Sequence, residues 1–228
     1  MASIHDNLQA VRERIERAAR AAGRDPRSVT LLAVSKTHPA ALIEQAVAAG
    51  QRAFGENYVQ EALEKMDALR ERGVQWHLIG PLQSNKTRLA AARFDWVQTV
   101  AAERIARRLS ERRPEGLAPL NVLVQVNISG EASKSGVPPG RVAAVAKAIG
   151  MLPRLRLRGL MAVPEAGAAA ARYRELKALF DGLKDEFRLD TLSMGMSDDL
   201  ELAIAEGATL VRVGTAIFGA RQKVRSAA

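Results

Sequence analysis

The sequence predicts an α/β fold: a single-domain (β/α)8 barrel with an extra N-terminal helix. Eight short apolar segments alternate along the chain with eight helical patterns, the order of a barrel built from strand–helix units. The apolar segments are continuous rather than alternating, as expected for parallel strands covered on both faces. The length of 228 residues is enough for one large core.

The elements follow in order from the amino terminus. An amphipathic helix comes first, because Ile4, Leu8, Val11 and Ile15 recur at helical spacing. This segment is acidic in part and lacks an apolar h-region, so we expect neither a secretory signal nor a transit peptide. The predicted strands occupy residues 30–35, 52–55, 74–79, 96–100, 121–127, 157–162, 191–195 and 209–213. The predicted helices occupy residues 39–49, 57–72, 86–93, 101–113, 139–151, 166–187, 198–206 and 216–225.

An open doubly wound sheet is the alternative fold for the same alternation. Against it, the first strand-to-helix turn, residues 35–38, lacks a glycine-rich phosphate fingerprint. No linker or composition shift divides the sequence, so we predict one domain over residues 1–228. The loop at residues 129–136 is small, polar and bounded by glycine, and we expect it to be a mobile lid.

Charge and composition exclude several classes of function. The net charge of +9 and the pI of about 10.4 favour anionic partners. Arginines alternate with glutamates along the helices, however, which indicates solvated helix faces rather than a nucleic-acid tract. The chain has no cysteine, which excludes disulfides and fits a reducing cytoplasm, and its three histidines are too dispersed for a metal site. No apolar run reaches membrane-spanning length, and we expect a soluble monomer.

Lys36 is the first candidate site residue. It stands where the first predicted strand opens into a loop, and active sites of barrels lie at these strand ends. A desolvated lysine amine can lose its proton and attack a carbonyl to form a Schiff base. The alternative is a surface lysine that merely starts a loop.

The turns after the last two predicted strands are the second candidate. Ser197 follows strand 7, and Gly214 and Thr215 follow strand 8. Barrels commonly hold a phosphate at these loops, where glycine amides, hydroxyl groups and helix N-termini meet an anion. The alternative is helix capping by Ser197 and Thr215. Asp198 and Asp199 weaken the phosphate interpretation, because they put negative charge in the same turn.

Arg212 lies within the last predicted strand, where a charged side chain needs either a hydrogen-bonding or ionic partner or a solvent-filled site. It either faces the outer helices and pairs with a carboxylate, or lies beside a cofactor, contacting a phosphate or a pyridine nitrogen. We expect Lys36 and the turns after strands 7 and 8 to face one another across the barrel top. An amine with an anion site suits pyridoxal 5′-phosphate (PLP), which has an aldehyde and a phosphate.

Six segments resemble the pyridoxal phosphate homeostasis protein family, and together they cover essentially the whole chain. They are AVSK, FGENYVQE, WHLIGPLQSNK, GLMA, SMGMSD and RVGTAIFG, at residues 33–36, 54–61, 76–86, 159–162, 193–198 and 212–219. The resemblance implies a fold-type III PLP-binding barrel, like the N-terminal domain of alanine racemase. It implies that Lys36 carries PLP as an internal aldimine and that Arg212 lies close to the cofactor. It also implies that the phosphate is held by Ser197, Gly214 and Thr215.

Three further residues follow from the resemblance. Asn57 is expected near the cofactor ring, or else caps the following helix. His77 either lines the barrel or is a satisfied core histidine. Lys134, in the predicted lid, either receives and passes on PLP or is a solvent-exposed loop lysine.

Racemisation would need acid–base groups on both faces of the cofactor. In the racemase fold one is a tyrosine from a separate C-terminal domain, which we expect to be absent because the chain ends shortly after strand 8. Neither of the two tyrosines, Tyr58 and Tyr173, is persuasively placed. The resemblance implies instead a protein that buffers PLP or delivers it to apo-enzymes. A PLP-dependent racemase or related fold-type III enzyme, and a nucleic-acid binder, are the alternatives.

Overall fold

The computed structural model describes residues 3–131, 135–164 and 170–220, and its strands form one closed parallel barrel. Each strand pairs with the next along the chain, and β1 pairs with β8. The strands are β1 (Thr30–Val34), β2 (Ala53–Glu56), β3 (Gln75–Leu78), β4 (Trp96–Val100), β5 (Leu120–Gln125), β6 (Leu155–Met161), β7 (Thr191–Ser193) and β8 (Leu210–Val213). The barrel prediction is confirmed, because an open sheet would leave two strand edges unpaired.

Helices surround the barrel in the predicted order. They are α1 (Ile4–Ala21), α2 (Ala40–Ala48), α3 (Val59–Ala68), α4 (Thr87–Arg93), α5 (Glu103–Arg112), α6 (Val142–Gly150), α7 (Ala170–Phe187), α8 (Leu200–Ala205) and α9 (Thr215–Phe218). Most bounds agree with the predictions to within about three residues. The helix α3 ends earlier than residue 72, because the N–H of Arg72 donates to the carbonyl of Leu69 in a tighter turn. Residues 221–225 of the last predicted helix, like residues 166–169, lie outside the described residues.

The N-terminal helix α1 packs against the outside of the barrel, mainly on α8, α9 and α2. Its predicted apolar stripe is buried, as the helical spacing indicated. Asn7 Nδ2 donates to the carbonyl of Ile217 at 2.9 Å, and Arg14 donates to the carbonyl of Ser197 at 3.0 Å. The helix therefore braces the chain beyond both β7 and β8.

Barrel closure places β1 beside β8, with Ala33 opposite Val213. The loops that carry Lys36 and Thr215 are therefore neighbours on the rim. The expectation that they face one another across the barrel top was wrong, because the first and last strands of a closed barrel are adjacent. Within the three described ranges, no helix is both long and apolar enough to cross a bilayer.

Candidate functional site

A cavity of about 350 Å³ opens at the carboxyl ends of the strands, where the loops after β1, β2, β7 and β8 meet. Six of the eight predicted site residues line it: Lys36, Asn57, Ser197, Arg212, Gly214 and Thr215. An apolar wall is formed by Val34, Ile79, Val163 and Met196. His38 and Asp198 line it as well. The cavity therefore combines an amine, a guanidinium, an imidazole and several hydroxyl and amide groups with an apolar surface, and it contains one carboxylate.

Lys36 stands two residues beyond β1 and is half-buried. The chain turns sharply at the next residue, because Thr37 has a φ of 65°, in the left-handed region. A β-branched residue in this conformation costs about 1–3 kcal/mol and needs support from its surroundings. The N–H of Thr37 donates to Glu61 Oε1 at 2.5 Å, which ties the turn to α3.

The turn after β8 lies close to β1. A β-carbon on Gly214 would lie 3.1 Å from the carbonyl oxygen of Val34, so glycine permits the approach. The helix α9 then begins at Thr215, and its first amides, those of Thr215 and Ala216, have no carbonyl four residues earlier within the helix. These amides and the Thr215 hydroxyl lie on the side of the barrel that carries Lys36.

The turn after β7 depends on Gly195, which has a φ of 88°. A β-carbon there would lie 2.4 Å from that of Ala203, so only glycine fits. Asp199 accepts the N–H of Met196 at 2.6 Å and the hydroxyl of Tyr173 at 2.5 Å. Burial and this carboxylate raise the pKa of Tyr173, so the hydroxyl stays protonated and donates. The charge of Asp199 is therefore engaged within the turn.

The structure excludes the capping alternatives. The N-cap positions of α8 and α9 are Asp199 and Gly214, not Ser197 and Thr215. The N-cap of α3 is Tyr58, so Asn57 does not cap that helix. The helices α8 and α9 have only six and four residues, so the expected helix-terminus potential is weak. Hydroxyl groups and individual amides are therefore the groups that could bind an anion here.

Arg212 lines the cavity and is buried, with 5% of its surface exposed. It donates from Nη1 to Ser193 Oγ at 2.8 Å and from Nη2 to the carbonyl of Ala162 at 2.9 Å. The alternative of an arginine paired outside the barrel is therefore excluded. Burial lowers the pKa of Arg212 to about 10, which leaves the side chain cationic at neutral pH.

A chain of hydrogen bonds leads from this arginine into the barrel interior. Ser193 Oγ donates to Gln98 Oε1 at 2.7 Å, and Gln98 Nε2 lies 2.9 Å from His77 Nδ1. Because the amide nitrogen can only donate, His77 carries its proton on Nε2, which contacts Gln75 Oε1 at 3.0 Å. The chain thus links the cavity wall to the opposite end of the barrel.

His77 is a predicted site residue that the structure does not bring to the cavity. It is buried, and its ring stacks on Trp96 with centroids 4.9 Å apart. Burial lowers the pKa of His77 to about 3, so the ring is neutral. Lys134 lies outside the described residues, as does part of the predicted lid at residues 129–136.

Sequence reasoning missed Gln98 and Ser193, which orient Arg212 from inside the barrel. The sequence pattern that could have identified them is a polar side chain within an otherwise apolar strand, because such a group must find hydrogen-bond partners when it is buried. Both residues are fully buried. This signal indicates a buried polar network but does not identify its members.

A second cavity of about 500 Å³ adjoins the first and shares Asn57, Ile79 and Val163 with it. Gln125, Glu131 and Ser135 line only the second cavity. The barrel mouth is therefore wider than the cavity that contains Lys36.

Comparison with known proteins agrees with the geometry. Residues 7–222 match the family described as alanine racemase, N-terminal domain. The chain is 59% identical over 223 residues to the pyridoxal phosphate homeostasis protein of Pseudomonas aeruginosa, covering 97% of each chain. It is 54% identical over 229 residues to that of Escherichia coli K12, covering 97% of this chain and 98% of that one. PipY of Synechococcus elongatus, solved with PLP bound, has a TM-score of 0.81 and 38% identity, over 95% of this chain and all (100%) of that one.

Proposed function

Because the chain belongs to the alanine racemase N-terminal domain family, and within it to the pyridoxal phosphate homeostasis proteins, we propose that it binds PLP and serves intracellular PLP homeostasis. In this proposal Lys36 holds the cofactor reversibly as a Schiff base. The protein buffers PLP or delivers it to other proteins.

The observation that carries the proposal is the presence of Lys36, Arg212, Ser197 and Thr215 in one cavity of about 350 Å³. This volume suits a small phosphorylated ligand. The lysine amine would condense with the aldehyde of PLP, forming a C=N bond and releasing one water. The hydroxyl groups and neighbouring amides would hold the phosphate, while Arg212 supplies a fixed positive charge beside the ring or the phosphate.

Binding without turnover is supported by the positions of the two tyrosines. Tyr58 is 56% exposed, beside the cavity-lining Asn57. Tyr173 is buried on α7, with its hydroxyl donated to Asp199. A second base for racemisation would need a titratable group fixed on the face of the cofactor opposite Lys36. Neither tyrosine has the environment of such a base.

Delivery to PLP-dependent apo-enzymes is supported by the surface around the mouth. Among the described residues, five large hydrophobic side chains are exposed, and three of these belong to the barrel mouth: Tyr58, Val163 and Met196. We infer that an acceptor protein packs on this apolar area beside the ligand site. We further propose that the protein works as a monomer in the cytoplasm; the absence of cysteine fits that reducing compartment.

The test is to add PLP, record the visible absorption band of the Schiff base, reduce with borohydride and map the modified peptide. We expect the label on Lys36, loss of the band in Lys36→Ala, and an unchanged band in Lys147→Ala, which alters an exposed lysine on α6. A label elsewhere, or a band that survives in Lys36→Ala, would contradict the proposal.

A PLP-dependent amino-acid racemase, or a related fold-type III enzyme, is the second candidate, because the family match is to a racemase domain. Incubating the PLP-loaded protein with a broad panel of L- and D-amino acids separates the two functions. We expect no racemisation or release of keto acid above that of free PLP. Turnover that disappears in Lys36→Ala would establish the enzyme instead.

A further inference from the structure

A buried lysine contacts the backbone next to Lys36 but does not line the cavity. Lys65, on α3, has only 5% of its surface exposed, which is rare for a charged residue. Its ammonium group donates to the carbonyl of Ser35 at 2.8 Å, to Glu56 Oε1 at 2.8 Å and to Glu61 Oε1 at 2.6 Å. Three donors meet three acceptors, which is the condition for placing such a group in the interior.

The same acceptors hold the chain on both sides of Lys36. Ser35 donates its hydroxyl to Glu56 Oε1 at 2.6 Å, and Thr37 donates its backbone N–H to Glu61 Oε1 at 2.5 Å. The buried ammonium bridges the two carboxylates. The residues immediately before and after Lys36 are therefore tied to one ionic cluster.

The ionic cluster stabilises an unfavourable backbone conformation at Thr37. Thr37 is in the left-handed region, with a φ of 65°, and relaxes to an ordinary conformation unless its surroundings prevent it. Glu61 supplies that constraint, and Lys65 holds Glu61 in place from the neighbouring turn of the same helix. Glu56 is fully buried and loses a cationic partner if Lys65 is removed.

We propose that Lys65 is a positioning residue for Lys36, and that it acts by fixing the backbone from which the Lys36 amine enters the cavity. Lys65 does not line that cavity and contacts the backbone of Ser35 instead. Misplacement of a reacting group by about 1 Å can slow a reaction on the order of 100-fold. The proposal rests on the proposed function of Lys36 and assigns a role to a residue that the function itself does not require.

The first test replaces Lys65 by methionine, which keeps the length of the side chain and removes all three donors. The rate at which the Schiff base band appears after addition of PLP is compared with wild type and with Lys147→Met, an exposed lysine on α6. We expect a rate about tenfold lower in Lys65→Met, with the borohydride label still on Lys36. We expect Lys147→Met to match wild type.

A second pair of variants serves if Lys65→Met does not fold. Glu61→Ala removes the acceptor for Thr37, whereas Glu61→Gln keeps a carbonyl oxygen that can accept the same N–H. We expect Glu61→Ala to slow band formation and Glu61→Gln to recover most of the loss. Amide hydrogen exchange at Thr37, measured without PLP, should be faster in Lys65→Met and Glu61→Ala than in wild type.

Wild-type band formation and wild-type exchange at Thr37 in Lys65→Met would overturn the positioning role. Equal rates in Glu61→Ala and Glu61→Gln would do the same if Lys65→Met is unfolded. A wild-type protein that forms no label on Lys36 would instead refute the proposed function. The exchange measurement at Thr37 distinguishes this outcome from failure of the positioning role, because it needs no cofactor.

Discussion

The buried histidine inside the barrel makes protein stability depend on pH. His77 is held neutral between Gln98 and Gln75, and burial lowers its pKa from 6.5 to about 3. In the unfolded chain the imidazole titrates near 6.5. Between these two values the unfolded state binds a proton that the folded state does not, so the stabilisation present above pH 6.5 is lost as the pH falls toward 3.

The size of the effect follows from the two pKa values of His77. Linkage gives a loss of roughly 2 kcal/mol in the free energy of unfolding between pH 8 and pH 5, and roughly 3 kcal/mol by pH 4. Against a typical domain stability of about 5–15 kcal/mol, this is a large fraction. The interval from pH 8 to pH 5 is the useful one, because most carboxylates stay ionised there.

The assay is urea unfolding at pH 8 and pH 5, followed by circular dichroism, for wild type and His77→Gln. Glutamine can still accept and donate hydrogen bonds but cannot titrate, so we expect the difference between the two pH values to be about 2 kcal/mol smaller in the variant. His5→Gln, at an exposed histidine of α1, is the matched control and should keep the wild-type difference. An equal pH dependence of the free energy of unfolding in wild type and His77→Gln would refute the argument. So would an imidazole of His77 that titrates near 6.5 by NMR in the folded protein.

Three further predictions concern the turns that surround the cavity. Gly195→Ala places a β-carbon 2.4 Å from that of Ala203 at a φ of 88°, so we expect a loss of about 2–4 kcal/mol in urea unfolding and weaker PLP binding. Tyr173→Phe removes the donor to Asp199 and should cost about 1.5–3 kcal/mol; an unchanged unfolding midpoint would contradict this role. Arg14→Met removes partly exposed bonds from α1 to the carbonyl of Ser197 and to Glu201 on α8, so we expect a loss of only about 0.5–1 kcal/mol, which should shrink in 0.5 M salt.

The fold was accessible from the sequence because apolar runs and helical patterns are local properties. Eight strand–helix repeats in 228 residues admit few architectures, and the order of the strands in the barrel is the order of the chain. The ends of the strands could also be located, and Lys36 and Thr215 were selected from those positions. Arg212 was selected as a charged residue within the last predicted strand. The structure brings these three residues to one cavity.

The sequence did not indicate Lys65. Glu61 and Lys65 are four residues apart on a helix, which is the pattern of an exposed ion pair on a solvated face. Burial distinguishes the two situations, and it arises because α3 packs where the ends of β1 and β2 meet. His77 was open to two interpretations for the same reason, since strand alternation does not say how deep in the barrel a side chain lies.

The residues that stand at the ends of the strands, and so the candidates for a common site, could be predicted without the structure. Which residues become neighbours is known only from the folded barrel: β1 lies beside β8, Arg212 donates to Ser193, and Lys65 donates to the carbonyl of Ser35, next to Lys36. These contacts join residues about 20 to 180 positions apart, so they exist only after the barrel has closed.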